Sequence, residues 1–217
     1  MSENANLESK PPHRIETERT IVRCYQTSDA PLMISALTES LDNLRPWMPW
    51  AANEPEPLEA KTNRLQKFRD EFNVGSGFTY AILDKTETEL IGSTGLHPRI
   101  GPNALEIGYW VSASRANQGI ATEASAALTR VAFEISGVGE VQIRCDPKNV
   151  RSSRVPEKLG FIHLRTVAAD GTDVHGQPRD TMVWSMTADR YSRSKLREAP
   201  IAAFDGEGNS MPLGSSI

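Results

Sequence analysis

The segment from residue 104 to residue 136 constrains the fold of this chain more than any other. It opens with ALEIGYWVS, an apolar and aromatic run typical of a buried strand. The polar turn SRANQG follows and ends in glycine. Apolar residues then recur at helical spacing at Ile120, Ala124, Ala127, Leu128, Val131 and Ile135. A strand, a short turn and an amphipathic helix in this order predict a sheet with a helix packed on its face.

The junction of this strand and helix is a candidate anion site. The first N–H groups of a helix lack partners inside the helix, and the helix dipole adds partial positive charge there. Because Gly119 and Ala121 carry little bulk, the amides of residues 117–122 can approach a phosphate closely. An ordinary turn is the alternative explanation of such a glycine.

The rest of the chain continues the alternation of strands and helices. We predict strands over residues 18–25, 77–84, 89–100, 104–112, 140–146, 161–168 and 180–187. We predict helices over about 28–44, after Pro57, over 119–136, within 149–160 and over 188–198. This order predicts one mixed sheet with helices on its faces.

Composition and charge exclude several classes of protein. The formal net charge of −4 argues against a broad nucleic-acid surface. No apolar run approaches the roughly 20 residues that span a bilayer, and the polar N-terminus has no apolar signal core. Cys24 and Cys145 form neither a disulfide framework nor a zinc-ligand set. We therefore expect a cytoplasmic protein without a metal, direct nucleic-acid binding or membrane association.

Three separated motifs resemble one known family. EIGYWVSASRANQGIATEA, then RCDPKN and then SSRVPEKLGF are similar to the GNAT family of acetyl-CoA-dependent N-acetyltransferases. The resemblance is closest to the Rim-type branch, which acetylates the N-termini of ribosomal proteins, and LRPWMPW resembles an early segment of that branch. It implies the GNAT fold, an α/β architecture with a mixed, mostly antiparallel twisted sheet and helices on both faces. The domain would span residues 18–190, between an N-terminal arm (1–17) and a C-terminal extension (191–217), both expected to be mobile.

The resemblance assigns a coenzyme site. In the family, the turn before the helix holds the pyrophosphate of coenzyme A through backbone amides, which here belong to Asn117, Gln118, Gly119, Ile120, Ala121 and Thr122. The backbone of Trp110, Val111 and Ser112 would pair with the pantetheine arm, and Asn149 would contact the coenzyme. Two positions depart from the usual pattern. Ala116 stands where the family has Gln or Arg, and Asn117 stands where many members have Gly, although Asn tolerates left-handed backbone.

The catalytic residues are expected from the same resemblance and from what acetyl transfer requires. The acceptor amine must be neutral, so a base is needed, and Glu106 on the predicted strand 104–112 is the first candidate, with His97 as the alternative. An amide near Val111 would polarise the thioester carbonyl. Trp47, Trp50 and His97 would line the acceptor cleft, with a place in the core as the alternative for the two tryptophans.

The general acid is the position at which the chain departs from the family. Many members have a tyrosine four residues before the glycine of the LGF ending, but this chain has Pro156 there. Ser152, Tyr109 or water must then serve the leaving thiolate. Because Pro156 lacks an N–H, we expect its helix to begin near Ser152 or Ser153.

These inferences predict an N-acetyltransferase that moves an acetyl group directly from acetyl-CoA to a primary amine. The acceptor would be a protein N-terminus or the amine of a small molecule or peptide, and a homodimer is compatible with the sequence. One alternative is a non-catalytic GNAT-like domain that binds coenzyme A as a sensor or interaction module, consistent with Ala116 and Pro156. Another is an unrelated nucleotide-binding module with the same cradle.

Overall fold

The computed structural model describes residues 7–214, which form a single nine-stranded sheet with helices packed on it. The strands are β1 (Arg14–Glu16), β2 (Thr20–Cys24), β3 (Phe78–Asp84), β4 (Leu90–His97), β5 (Ala104–Val111), β6 (Glu140–Cys145), β7 (Ile162–Thr172), β8 (Pro178–Thr187) and β9 (Ala202–Phe204). The helices are α1 (Ala30–Thr38), α2 (Leu41–Leu44), α3 (Leu58–Val74), α4 (Ile120–Glu134), α5 (Val150–Lys158) and α6 (Ala188–Ser192). No helix in this part of the chain is long and apolar enough to cross a membrane.

The sheet is mixed and mostly antiparallel, as predicted. Its strand order is β7-β8-β6-β5-β4-β3-β2-β1-β9, and only β5 and β6 pair in parallel within it. Apolar residues cover both faces because successive strand residues point to opposite sides. Along β3, Tyr80 and Ile82 belong to a cluster with α4, whereas Ala81 and Leu83 belong to a second cluster with α1. The predicted arrangement of helices on both faces is therefore confirmed.

The one parallel pair opens partway along its length. Paired residues run from Ala104 opposite Glu140 to Ile107 opposite Ile143. Strand β5 continues to Val111 and β6 to Cys145 without further pairing between them. The remaining parts of the two strands diverge, and this divergence provides the space in which the candidate site lies.

Helix α4 follows its apolar periodicity closely. Its buried residues include Ala124, Leu128 and Val131, which pack on the sheet. The helix begins after Gly119, whose left-handed φ of 80° L side chains rarely adopt, and a second left-handed glycine, Gly137, follows its end. The helix predicted over 119–136 and the helix predicted after Pro57, which is α3, are both present.

Two predicted helices are interrupted. The helix predicted over 28–44 divides into α1 and α2, because the buried Ser40 lies between them and its Oγ accepts a hydrogen bond from the N–H of Ala113 at 2.9 Å. The helix predicted over 188–198 divides into α6 and a 3₁₀ turn over Lys195–Glu198, which the side chain of Ser194 caps.

Both ends of the described chain join the sheet, within the two segments that the sequence predicted to be mobile. Strand β1, inside the predicted arm 1–17, pairs with β2, and β9, inside the predicted extension 191–217, pairs with β1. Ile15 and Ala203 are almost fully buried. These three-residue strands are too short to show a periodicity, and pairing with one another stabilises them. Residues 1–6 and 215–217 of the predicted segments lie outside the described residues.

Candidate active site

The turn before α4 has the backbone conformation that an anion cradle needs. Asn117 and Gly119 are left-handed, with φ of 61° and 80°, as the tolerance of Asn for this region predicted. Residues Asn117, Gly119, Ile120, Ala121 and Thr122 line a cavity of about 500 Å³. The turn therefore places the first amides of the helix, which lack partners inside it, along the wall of this cavity.

Contacts from the short connection between β1 and β2 hold this turn in place. Arg19 donates from Nη1 to the carbonyl of Gln118 at 2.8 Å and from Nε to Glu123 in the first turn of α4 at 2.5 Å. Thr17 donates to the same carboxylate at 2.6 Å. Gln118 itself does not line the cavity, because its side chain turns back to donate to the carbonyl of Ser114.

The remaining walls of this cavity come from the end of β5 and from α5. Tyr109, Trp110 and Val111 contribute one wall, whereas Ser112 is fully buried and lies behind it. The opposite wall consists of residues of α5 and its cap, which are Asn149, Arg151, Ser152, Arg154, Val155 and Lys158. Its three cations are exposed and spaced i, i+3 and i+7, which places them on one face of the helix. The wall brings positive charge to the same cavity as the helix N-terminus.

Helix α5 begins earlier than predicted. Asn149 caps it, since its Oδ1 accepts the N–H of Ser152 at 3.1 Å, and the helix starts at Val150 rather than at Ser152 or Ser153. Pro156 consequently lies inside the helix instead of in its first turn. The cap determines the start because an Asn side chain satisfies an otherwise unpaired helix N–H.

Tyr109 and Ser152, the two candidates for the leaving-group side, lie against each other. The Tyr109 hydroxyl is 3.0 Å from the carbonyl oxygen of Ser152 and 3.1 Å from its Oγ. Burial raises the pKa of the Tyr109 hydroxyl, so it stays protonated at neutral pH. Burial also raises the pKa of the nearby Cys145 thiol to about 11, which makes that thiol a poor nucleophile.

A second cavity, of about 360 Å³, adjoins the first. Both cavities are lined by Trp47, Met48, Tyr109, Asn149 and Ser152. Beyond these shared residues, the second cavity is lined by both acidic and basic side chains, which are Arg99, Glu106, Arg144, Asp146, Asp170 and Arg179. The two cavities thus meet where β5 and β6 diverge, one reaching the helix N-terminus and the other reaching the predicted base.

Glu106 lies at the floor of the second cavity in an ion-paired state. Its side chain is 9% exposed, and Arg99 donates to both carboxylate oxygens, from Nε at 3.1 Å and from Nη2. Arg144 lies 3.8 Å from the same carboxylate. The Arg99 side chain is 59% exposed, so the group that covers the carboxylate faces the open side of the cavity.

His97, the alternative base, lies beside Glu106 in the sheet register but outside the lining of both cavities of the described chain. Its ring packs over Gly95 and Gly108; a Cβ added at Gly95 would lie 2.8 Å from the ring nitrogen. Desolvation, aided by the charge of Arg99, lowers the pKa of His97 to about 4. The imidazole is therefore neutral at neutral pH and a weak base.

The two predicted cleft tryptophans occupy different positions. Trp47 lines both cavities, and its carbonyl accepts a hydrogen bond from Arg179 of β8 at 2.8 Å. Trp50 is 39% exposed, and its ring centre lies 6.5 Å from that of Trp110, outside the lining of either cavity in residues 7–214. Neither is a buried core residue, so the core alternative does not describe them.

Sequence reasoning missed most of the charged lining. The cations of α5 had a detectable pattern, since Arg151, Arg154 and Lys158 repeat at helical spacing beside the predicted coenzyme residue Asn149. No sequence pattern linked Arg99 and Arg179 to the site, because Arg99 reaches the second cavity from the loop after β4 and Arg179 reaches it from β8. In the described residues, no cluster of three or more His, Cys, Asp or Glu side chains is arranged to hold a metal ion.

Comparisons with known proteins bear on the family of this chain. A family model described as an acetyltransferase (GNAT) domain matches residues 19–162. The [ribosomal protein uS5]-alanine N-acetyltransferase of Escherichia coli (strain K12) is 26% identical over 182 residues, covering 82% of this chain and 92% of that protein. YdaF of Bacillus subtilis (strain 168) is 27% identical over 186 residues, covering 82% of this chain and 96% of that protein.

A solved structure supports the same fold. Mycobacterium smegmatis RimJ in complex with CoA-disulfide superposes with a TM-score of 0.74 at 21% identity, covering 86% of this chain and 94% of that one. At this identity the likeness bears on the fold alone.

Proposed function

Because the chain belongs to the GNAT acetyltransferase family and is an acetyl-CoA-dependent N-acetyltransferase, we propose that it transfers the acetyl group directly to a primary amine bound in the second cavity. The coenzyme would occupy the first cavity. The observation that carries this proposal is the meeting of the two cavities at Tyr109, Asn149 and Ser152, where β5 and β6 diverge. A direct transfer needs both reactants to reach one point from separate entrances.

The first cavity suits a coenzyme with several phosphates. The amides around Gly119 would bind the pyrophosphate, since they combine unpaired N–H groups with the positive end of the α4 dipole. Arg151, Arg154 and Lys158 add three positive charges along the opposite wall. The acetyl end would then lie toward the divergence of the strands.

The end of β5 offers a backbone donor to the thioester carbonyl. The N–H of Ser112 donates to the carbonyl of Ile91 in β4 at 2.7 Å. Successive N–H groups of a strand point to opposite sides, so the N–H of Val111 points away from β4 and toward the opening left by β6. This direction supports Val111 as the amide that polarises the carbonyl as negative charge develops on its oxygen.

The chemistry requires two proton-handling groups. The neutral amine nitrogen attacks the thioester carbon, a C–N bond forms, the C–S bond breaks, and the sulfur leaves as a thiolate. Glu106 would accept the proton of the amine directly or through a water, after Arg99 releases one carboxylate oxygen. Ser152 and Tyr109 would donate hydrogen bonds on the sulfur side, with solvent supplying the final proton.

The acceptor belongs to the class of primary amines. A protein N-terminus is our first candidate, since the Escherichia coli relative is named for acetylating an alanine of ribosomal protein uS5. Amines of small molecules and peptides are the second. Mixed charge around the second cavity, with Asp146 and Asp170 near its edge, is compatible with a cationic amine before it loses its proton.

Release of coenzyme A thiol tests the proposal. The enzyme is incubated with acetyl-CoA and, in separate reactions, with peptides carrying free N-termini, polyamines and aminoglycosides. At least one class should give acetylated product and an equivalent amount of free thiol. A protein that binds acetyl-CoA but acetylates none of these amines would favour the sensor alternative.

A glycine substitution tests the coenzyme cradle. Gly119→Val should weaken coenzyme A binding in calorimetry by about tenfold or more, since it strains a left-handed residue and crowds the amides. Gly176→Val is the matched control, because Gly176 is also left-handed (φ 74°) and belongs to a hairpin turn with open space around it. If Gly119→Val bound coenzyme A as tightly as wild type, the loop would be an ordinary turn and not the coenzyme cradle.

A further inference from the structure

Pro156 occupies an unusual place in α5. It is inside the helix, which runs from Val150 to Lys158, and it is buried. Proline is the least favourable residue in a helix interior, because it has no N–H to donate and its ring crowds the carbonyl four residues earlier. That carbonyl belongs to Ser152, one of the residues shared by the two cavities.

The Ser152 carbonyl accepts a hydrogen bond from a donor outside the helix. In a regular helix it would accept the N–H of residue 156, which proline lacks. Instead, the Tyr109 hydroxyl from β5 donates to it at 3.0 Å. The same hydroxyl lies 3.1 Å from the Ser152 Oγ, so one phenol oxygen contacts both the backbone and the side chain of this serine. A carbonyl without its helical partner is a stronger attraction for a side-chain donor than one already satisfied.

We propose that Pro156 is a positioning residue for the transfer reaction: it withholds the helical N–H from the Ser152 carbonyl, and so directs that carbonyl to the Tyr109 hydroxyl and fixes the Tyr109–Ser152 pair. This rests on the proposed placement of the coenzyme thiol beside Ser152. Pro156 stands four residues before Gly160 of the LGF ending, and it aligns a tyrosine that comes from a neighbouring strand.

The pair can respond to charge on the sulfur without transferring a proton itself. Before reaction, Tyr109 donates to the carbonyl and can accept from the Ser152 hydroxyl. When the thiolate forms, the Ser152 hydroxyl turns to donate to the sulfur. The Tyr109 hydroxyl keeps its hydrogen bond to the Ser152 carbonyl and so holds the serine in place while the serine hydroxyl turns. One hydroxyl rotation therefore stabilises the leaving group, and solvent later supplies its proton.

Pro156→Ala tests the proposal because it restores the N–H. The alanine amide should recapture the Ser152 carbonyl and draw it back along the helix, away from Tyr109. We expect kcat to fall by about five- to tenfold, the scale of one hydrogen bond in the transition state. The KM for acetyl-CoA should change less than about twofold, and the melting temperature should stay level or rise, since alanine suits a helix interior. A loss of activity in a protein that is no less stable separates positioning from damage.

A double-mutant cycle identifies the group through which Pro156 acts. Tyr109→Phe should lower kcat by about tenfold, and adding Pro156→Ala to it should cause little further loss, because both remove the same contact. Glu157→Ala is the matched control, since Glu157 is an exposed neighbour in α5 outside both cavity linings of the described chain. It should keep wild-type kcat.

Three results would overturn the inference. If Tyr109→Phe lowers kcat but Pro156→Ala keeps wild-type kcat, or if the two losses multiply, Pro156 does not position the pair. If Tyr109→Phe and Ser152→Ala both keep wild-type kcat, the pair does not face the thiol, and the inference fails while measured amine acetylation leaves the proposed function standing.

Discussion

Two neighbouring residues of the central strands show how local surroundings divide chemical roles. His97 and Glu106 are register partners on β4 and β5. The imidazole of His97 packs against two glycines and is shielded from solvent. The carboxylate of Glu106 lines the second cavity and pairs with Arg99. Position in the sheet made both of them candidates for the base. Access to the cavity and the low pKa of His97 favour Glu106.

Glu106→Gln keeps the shape of this side chain and removes its ability to accept a proton. We expect kcat to fall by roughly 10²–10³ with little change in coenzyme affinity, the scale of a general base. Steady-state kinetics and calorimetry measure the two quantities. Glu16→Gln is a control, since Glu16 is also ion-paired, to Arg14, at the far side of the sheet. Activity within twofold of wild type would assign the role to solvent.

His97 makes stability depend on pH. Its folded pKa of about 4 lies below its ordinary value of 6.5, so the unfolded chain binds more protons between these values. Above pH 6.5 His97 is neutral in both states and costs no stability. As the pH falls toward 4, protonation favours the unfolded chain, and the free energy of unfolding decreases. Urea unfolding at pH 7 and pH 4.5 should show wild type losing about 2 kcal/mol more than His97→Gln. The exposed His163 supplies the control His163→Gln, and equal losses in all three proteins would contradict the prediction.

At the scale of elements, the start of α4 depends on a strand that is distant in sequence. Arg19, directly before β2, donates to both the Gln118 carbonyl and the Glu123 carboxylate and so connects the two sides of the cradle. It also neutralises a negative charge in the first turn of a helix that would bind a pyrophosphate. The helix N-terminus supplies the amides, and the strand holds them in place.

Arg19→Ala should therefore weaken acetyl-CoA binding more than it weakens the fold. Its guanidinium is 47% exposed, so we expect a modest rise in Kd, about tenfold, with kcat at saturation little changed. Calorimetry and kinetics separate the two effects. Arg193→Ala removes a comparable exposed ion pair in α6 and its neighbouring turn and should leave Kd unchanged. An unaltered Kd in Arg19→Ala would mean that the loop holds its shape unaided.

At the scale of the whole molecule, the two ends of the chain complete one edge of the sheet. Strand β9 covers β1, and Met211 and Leu213 pack against the core beyond it. The opposite edge carries the β7–β8 hairpin, from which Arg179 reaches the Trp47 loop at the second cavity. One edge thus supports the fold, and the other shapes the candidate acceptor site.

Removing residues 200–217 should destabilise the protein although the cavities lie elsewhere. Loss of β9 and of the apolar contacts after it should lower the melting temperature by about 5–10 °C, since each 1 kcal/mol shifts it by roughly 2–4 °C at this size. A chain ending at residue 214 keeps every described contact and serves as control. A melting temperature equal to that of the full chain would show that this edge contributes no stability.

The amino-acid sequence by itself determined the main elements and the family. The apolar spacing of α3 and α4 reflects burial of one helix face, and the apolar runs of β3 to β6 reflect burial on both faces of the sheet. The turn from Asn117 to Gly119 could also be predicted from the sequence, since Asn and Gly adopt left-handed backbone more readily than other residues. These features depend on neighbours within a few residues, which the sequence displays directly.

Tertiary structure alone decided which charges and hydroxyls meet. Arg99 covers Glu106, and Tyr109 reaches the Ser152 carbonyl, because strand divergence and a helix cap bring them together across the chain. The edge strands β1 and β9 likewise exist through their pairing, being too short to carry a pattern of their own. Each of these contacts depends on the relative placement of distant elements, and that placement is set by packing of the whole sheet and its helices rather than by the residues beside them in sequence.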